Sequence, residues 1–225
     1  MKDRLVTLVG GGGFIGRYVA QALLAAGARV RVAQPDPREA WFLKPLGGLG
    51  QTQFVAADVT KPDTVARAVE GAQHVVNLAG SFSGDLKRIH VDGARAVAEA
   101  ARASGVESLV HFSAIGADVN SPSRYASTKG EAEAAVRNAF PDATILRPAT
   151  VFGREDRFIN RFAGMIAMSP VVPVLRAQTR FQPVFVGDVA AATVAALAAP
   201  DRFGGHVYEL GGPDVLSLLE LHRWI

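Results

Sequence analysis

The sequence predicts a doubly wound parallel α/β sheet, and three observations predict it. Short apolar runs alternate with helical segments through the first two thirds of the chain. Each helical segment is about 10–18 residues long, enough to carry a crossover between parallel strands. The first apolar run ends in a glycine loop that opens a helix. With 225 residues, half of them apolar and a fifth charged, the chain can bury a core of that size.

The elements follow in order. Leu5 to Val9 is the first strand, and Phe14 to Ala26 has helical spacing closed by Gly27. Val30 to Ala33 is the second strand, broken by Pro35-Asp36-Pro37. Gln53 to Ala57 is the third strand, and Pro62 to Glu70 a helix with proline in its first turn and Gly71 after it. His74 to Ala79 is the fourth strand, Leu86 to Ala103 a long alanine-rich helix, and Leu109 to Ser113 the fifth strand. Tyr125 to Phe140 is a further helix and Thr144 to Leu146 a sixth strand. Past Thr150 the alternation weakens. Residues 1–150 therefore read as one α/β core, whose glycine loop, described below, marks it as dinucleotide-binding, and 151–225 as a smaller α/β region for a substrate or a docking partner.

Composition excludes several chemistries. There is no cysteine, so disulfide scaffolds, thiolate-held zinc, iron–sulfur clusters and a thiol nucleophile are out. The five histidines never stand at i, i+4, and no metal site is expected; His74 and His111 read as packed strand residues. A net charge of +3 does not argue for nucleic acid. No apolar run approaches the ~18 residues of a membrane span, and Met1-Lys2-Asp3-Arg4 lacks a signal-peptide pattern. A cytoplasmic protein without a transmembrane segment is expected. The charge is uneven, however. Between Arg154 and Arg180, five arginines face only Glu155 and Asp156, so this one segment carries the whole excess. It reads as a solvated face, an anion site or a docking face. The neighbouring run from Met165 to Leu175, broken by Pro170 and Pro173, reads as core, as the wall of a substrate pocket, or as a patch for a partner or lipid headgroups. Asp188 is expected to cap the alanine-rich helix that follows it.

Two motifs carry chemistry. Gly10, Gly13 and Gly16 stand at G-x-x-G-x-x-G spacing between a strand and a helix, with Phe14 and Ile15 inside the turn. Glycine permits a tight turn and close approach of a pyrophosphate to the backbone, and the helix N-terminus offers free N–H groups. The expected cofactor is NAD(H) or NADP(H). Asp36, beyond the second strand, either reads the adenosine ribose or caps a turn. Asp58-Val59 suits an adenine edge or a plain turn. Tyr125 and Lys129, four apart on one helix face, form a Y-x-x-x-K pair. A lysine ammonium near the phenol would lower its pKa and fit Tyr125 for general acid/base work.

With these motifs, the chain resembles the atypical or extended short-chain dehydrogenase/reductases, the NAD-dependent epimerase/dehydratase superfamily with its Rossmann fold. The resemblance rests on the glycine loop, Asp58-Val59, Asn77-Leu78-Ala79-Gly80, Tyr125-x-x-x-Lys129, Arg147 to Gly153 and Val186-Gly187-Asp188-Val189. It implies that Tyr125 and Lys129 are the catalytic pair, with Ser113 nearby, and that Asn77, Ala79, Gly80 and Pro148 lie along the cofactor. Active extended members carry a serine or threonine where Ile115 stands here. More narrowly, His111 to Asp118, Phe158 to Phe162, Arg180 to Ala190 and Tyr208 to Pro213 are similar to the nucleotide-binding accessory subunits of respiratory complex I. That likeness implies a cofactor held mainly for structure, a partner in the peripheral arm of NADH:quinone oxidoreductase, and a place at the inner membrane. It also implies a chain that continues past Ile225, since Leu216 to Ile225 reads as the opening of a helix. An active NAD(P)-dependent epimerase/dehydratase or reductase on a small-molecule substrate, and an NAD(P) redox sensor, are the other two readings.

Overall fold

The computed structural model describes every residue except Pro170, so the expected break there lies outside the described residues. Seven parallel strands form the central sheet: β1 (Leu5–Val9), β2 (Arg29–Gln34), β3 (Thr52–Ala56), β4 (His74–Asn77), β5 (Ser108–Phe112), β6 (Thr144–Pro148) and, from beyond residue 150, β10 (Val207–Leu210). Their spatial order is β10-β6-β5-β4-β1-β2-β3. Val and Leu at both faces of β1, β4 and β5 leave these strands buried, apart from the half-buried Leu5 that opens β1, as a sheet covered on both sides requires.

The helices divide between the two faces. On one, α1 (Phe14–Ala25) packs against α6 (Val186–Ala198), and Val19, Leu23, Val189 and Leu197 meet strand residues Leu8, Val32 and Val110 in one cluster. On the other, α2 (Pro62–Val69), α3 (Gly93–Ala103) and α4 (Arg124–Ala139) cover the sheet through Val65, Val97, Ala101, Ala132 and Val136. The region past residue 150 is thus divided. Residues 186–210 complete the main sheet and core, while β7 (Val151–Phe152), α5 (Ile159–Met168), β8 (Arg180–Phe181), β9 (Val184–Phe185), β11 (Leu216–Ser217) and α8 (Leu218–Trp224) form two small two-stranded pairings and their helices.

Local chemistry explains the boundaries. Gly27 ends α1 with φ +80°, a left-handed conformation that a β-carbon would strain. Ser217 and Glu220 close a reciprocal capping box on α8. Three sequence expectations change. Residues Pro37–Leu46, expected only as a break, form a 3₁₀ helix capped by Asp36, whose carboxylate accepts from the Arg38 N–H. The long helix expected from Leu86 is two elements: Lys87–Asp92 winds as a π-helix before α3 begins. Its wider turn carries His90 inward, where both ring nitrogens find partners. Asp188 does not cap α6, because the helix starts earlier, at Val186, and Asp188 lies inside the first turn.

An ion pair between a half-buried arginine and a buried glutamate locks α4 to the sheet. Arg147 on β6 donates from Nε and Nη2 to the two oxygens of Glu133, each at 2.8 Å, and from Nη2 to the Ala117 carbonyl at 3.2 Å. Glu133 is buried. Arg147→Met would leave that carboxylate buried without its partner, so it is expected to destabilise the protein by about 3–5 kcal/mol in urea denaturation. Adding Glu133→Leu should recover most of the loss.

Candidate functional site

The strand order reverses between β1 and β4, and the crevice at such a switch point is where open α/β sheets bind ligands. Here it is a cleft of about 930 Å³ walled by the glycine loop, the segments after β4 and β5, the start of α4, and the β6–α5 connection. The three motif glycines do different work. Gly10 has φ +78°, and a β-carbon there would press on the Leu78–Ala79 backbone at 3.1–3.2 Å. A β-carbon on Gly16 would overlap the Gly11 backbone, so this glycine sets the approach of α1 to the loop. Gly13 has ordinary dihedrals, φ −74° and ψ 178°, and a β-carbon on it would meet nothing nearer than the Gly10 oxygen at 3.5 Å. Neither the backbone nor the protein's own packing demands glycine at 13. It is the N-cap of α1, whose first N–H groups form the kind of anion site that could hold a pyrophosphate.

On the opposite wall, Lys129 is buried, and its Nζ donates to the Phe112 carbonyl at 3.0 Å. Burial pushes its pKa down to about 8, against a smaller upward pull from Glu133. Burial also raises the Tyr125 pKa. The expected lowering of the Tyr125 pKa by Lys129 is therefore not found; desolvation governs the phenol. Phe82 stacks on the Tyr125 ring, centroids 5.0 Å apart and planes 17° apart, and His90 meets it edge-on at 5.5 Å. His90 Nε2 accepts from the Ser81 N–H at 3.1 Å, so Nδ1 carries the proton, 2.9 Å from Thr128 Oγ1. Burial, then the nearby Lys129 charge, lowers its pKa to about 4, and it is neutral at pH 7.

Of the residues the sequence singled out, Gly10, Gly13, Phe14, Ile15, Gly16, Gly80, Ser113, Tyr125, Lys129 and Pro148 line this cleft. Asp36, Asp58, Val59, Asn77 and Ala79 do not. The Asp36 carboxylate is committed to the Arg38 guanidinium, which with the Arg38 N–H holds its pKa at about 2. Asp58 accepts from the N–H and hydroxyl of Thr60, and Val59 packs against Gly93. Asn77 is buried between the Ala79 N–H, 3.1 Å from its Oδ1, and His111 Nδ1, 3.2 Å from its Nδ2. It shapes the floor and does not face the cleft. Burial pushes the His111 pKa down to about 3. Ser113 Oγ and His111 Nε2 are buried without a partner among the described residues.

Three contributors have no motif in the sequence. Gln34 Oε1 accepts from the Gly12 N–H at 2.9 Å and its Nε2 donates to the Asp36 carbonyl, so its side chain clamps the glycine loop. Glu155 accepts from Arg17 and from the Tyr18 hydroxyl, both at 2.7 Å, tying the segment after β7 to α1. Phe82 reaches the site from a glycine-flanked loop. Only the apolar cleft lining of Ile115 carried a warning, since a hydroxyl was expected there.

Residues 6–211 match the NAD dependent epimerase/dehydratase family. The chain belongs to that family. Curated relatives include the NADH dehydrogenase [ubiquinone] 1 alpha subcomplex subunit 9 of Arabidopsis thaliana, 39% identical over 96% of this chain and 56% of the relative. The mouse protein of the same name is 35% identical over 98% of this chain and 60% of its own length. A ceramide reductase of Caulobacter vibrioides is also 35% identical, over 87% of this chain and 62% of the relative. The chain thus spans about 56–60% of the length of the first two. Among solved structures, Pen from Bacillus thuringiensis superposes with a TM-score of 0.85 at 22% identity, covering 99% of this chain and 72% of that one. DesIV, a dTDP-glucose 4,6-dehydratase from Streptomyces venezuelae solved with NAD and DAU, gives 0.83 at 20%, covering 97% and 79%. At these identities the structures speak for the epimerase/dehydratase fold. Among the described residues, no helix is long and apolar enough to cross a membrane.

Proposed function

We propose that this chain is the dinucleotide-binding part of an accessory subunit of a respiratory NADH:quinone oxidoreductase, with NAD(H) or NADP(H) held as a fixed structural ligand. The observation that carries the reading is the contrast between the two ends of one cleft. At the glycine end, Gly13 stands exposed at the start of α1 with open space around it, which leaves room for a ligand. At the far end, apolar Ile115 stands on the wall where a carbonyl-polarising hydroxyl would be needed, and Phe82 covers the Tyr125 ring. The relatives named as complex I subunits support the same partner.

In this reading the N–H groups after Gly13 hold the pyrophosphate, and the Lys129 ammonium donates to ribose hydroxyls. Ser113 Oγ, which has no protein partner, offers the nicotinamide end a hydrogen bond. When bound, the cofactor would supply hydride chemistry, but Tyr125 here serves as a packed contact. Gln34 spends both ends of its amide inside the protein and Arg38 is paired with Asp36. Charge at the end of β2 therefore gives little choice between NAD(H) and NADP(H). The test is native fractionation of mildly solubilised membranes, following the chain by mass spectrometry. Co-migration with NADH:quinone oxidoreductase through moderate salt is expected. A chain found only in the soluble fraction, as a monomer or small homo-oligomer, would overturn the reading.

One observation favours a second reading, an active reductase: Tyr125, Lys129 and Ser113, whose buried hydroxyl has no partner among the described residues, belong to the same cleft. The relative named as a ceramide reductase supports it. On this reading Tyr125→Phe abolishes turnover and spares dinucleotide affinity.

A further inference from the structure

Of the five arginines between 154 and 180, Arg157 lies at the rim of the cleft and the other four belong to neither the site nor the core. All five side chains are exposed. Among the described residues none of them is in an ion pair. The two acids in the same segment cannot neutralise them. Glu155 is taken by Arg17 and Tyr18, and Asp156 is buried, accepting from the N–H groups of Phe158 and Ile159 at the start of α5. Arg180 lies near Glu220, and the other four arginines present their charge without a carboxylate partner among the described residues.

The same segment presents apolar side chains that the core does not take. Of the ten residues of α5, INRFAGMIAM, only Ile159 is buried. Arg161, Met165 and Met168 recur at helical spacing on one face. A β-carbon on Gly164, beside them, would meet nothing within 4 Å. Met168 is 83% exposed, and beyond it Val171 and Leu175 are 77% and 82% exposed. None of these three lines the cleft. These three side chains thus belong neither to the core nor to the pocket wall. Unpaired cations beside protruding Met, Val and Leu match an interfacial element, whose cations meet headgroup phosphates while apolar tips enter the acyl boundary. An acidic protein surface would match the charge but would leave three apolar tips to a polar partner.

From this pairing of free arginines with exposed apolar side chains, we propose that the surface of residues 154–180 docks onto an anionic lipid surface. The proposal does not depend on the cofactor or on the respiratory partner. The test is co-sedimentation of the purified chain with phosphatidylcholine vesicles, with and without phosphatidylglycerol. Binding is expected only to the anionic vesicles and should weaken as salt rises. Neutralising Arg154, Arg161 and Arg176 together to glutamine should weaken it about 100-fold, at roughly five-fold per cation. Met168→Ser with Leu175→Ser should weaken it several-fold with the arginines intact. These are exposed positions, and an unchanged thermal transition confirms that the variants fold. No binding to anionic vesicles, equal binding to both vesicle types, or wild-type binding by the arginine triple variant would each overturn the proposal.

Discussion

Gly13→Val is expected to abolish dinucleotide binding while the protein stays folded, and Gly16→Ala is expected to do the reverse damage. The two glycines belong to one motif, three residues apart, yet their surroundings differ. At Gly13 a β-carbon finds only the Gly10 oxygen, at an ordinary 3.5 Å, and the dihedrals suit any residue. Substitution there should cost stability no more than about 1 kcal/mol, the scale of a changed helix cap. The valine methyls, however, would crowd the N-cap of α1, where on the proposed reading the pyrophosphate approaches. Affinity should fall by at least about 100-fold, a loss of some 2.8 kcal/mol. At Gly16 a β-carbon would lie 2.6 Å from the Gly11 carbonyl carbon and 2.8 Å from its α-carbon, and neither can move without moving the turn. Gly16→Ala should therefore cost about 3 kcal/mol or more of stability. Fluorescence titration with NADH and NADPH, beside urea denaturation of both variants, separates the effects. Unchanged dinucleotide affinity in folded Gly13→Val would remove the cofactor assignment.

That contrast also marks how far the sequence could be read. The parallel sheet was legible because periodicity and turn residues are local properties: β1 begins and ends where the apolar run does, and Gly27 and Gly71 stand just past their helices at φ +80° and +72°. The glycine loop was legible because its context, strand then helix, is written in adjacent residues. What was hidden depends on side chains meeting from distant segments. Gln34 clamps Gly12 from 22 residues away, and Phe82 covers Tyr125 from 43 positions earlier in the chain. No spacing rule announces either contact. The π-turn at Lys87–Asp92 was invisible for a similar reason: its alanine-rich continuation has plain helical periodicity, and only the bonds from His90 to Ser81 and Thr128 explain the wider turn. Asp36 and Asp58 show the opposite case. An acidic residue after a strand fits both a ribose contact and a turn, and here the carboxylates bond their neighbours Arg38 and Thr60 as turn residues do.

Lys129 offers the second large effect, read through pH. The unfolded chain holds the lysine proton up to about pH 10.4, whereas in the folded chain burial brings the pKa to about 8. Between these values the unfolded state binds more protons, so stability should rise with pH across that window. Below pH 8 the folded protein carries a buried ammonium whose only hydrogen bond among the described residues runs to the Phe112 carbonyl. The penalty is on the order of 3 kcal/mol. Lys129→Met has no proton to lose, so its stability should lack that rise, and the difference between the two proteins should shrink by roughly 3 kcal/mol from pH 7.5 to 10.5. Urea midpoints across this range measure it, and parallel profiles for the two proteins would show that burial does not strain Lys129. Saturating dinucleotide supplies a discriminating control. If the ammonium donates to the ribose, the bound ligand favours the charged form, raises the folded pKa toward its ordinary value and flattens the wild-type rise. A dinucleotide that binds without flattening that rise would leave Lys129 as a strut between α4 and β5, outside the cofactor's hydrogen bonds.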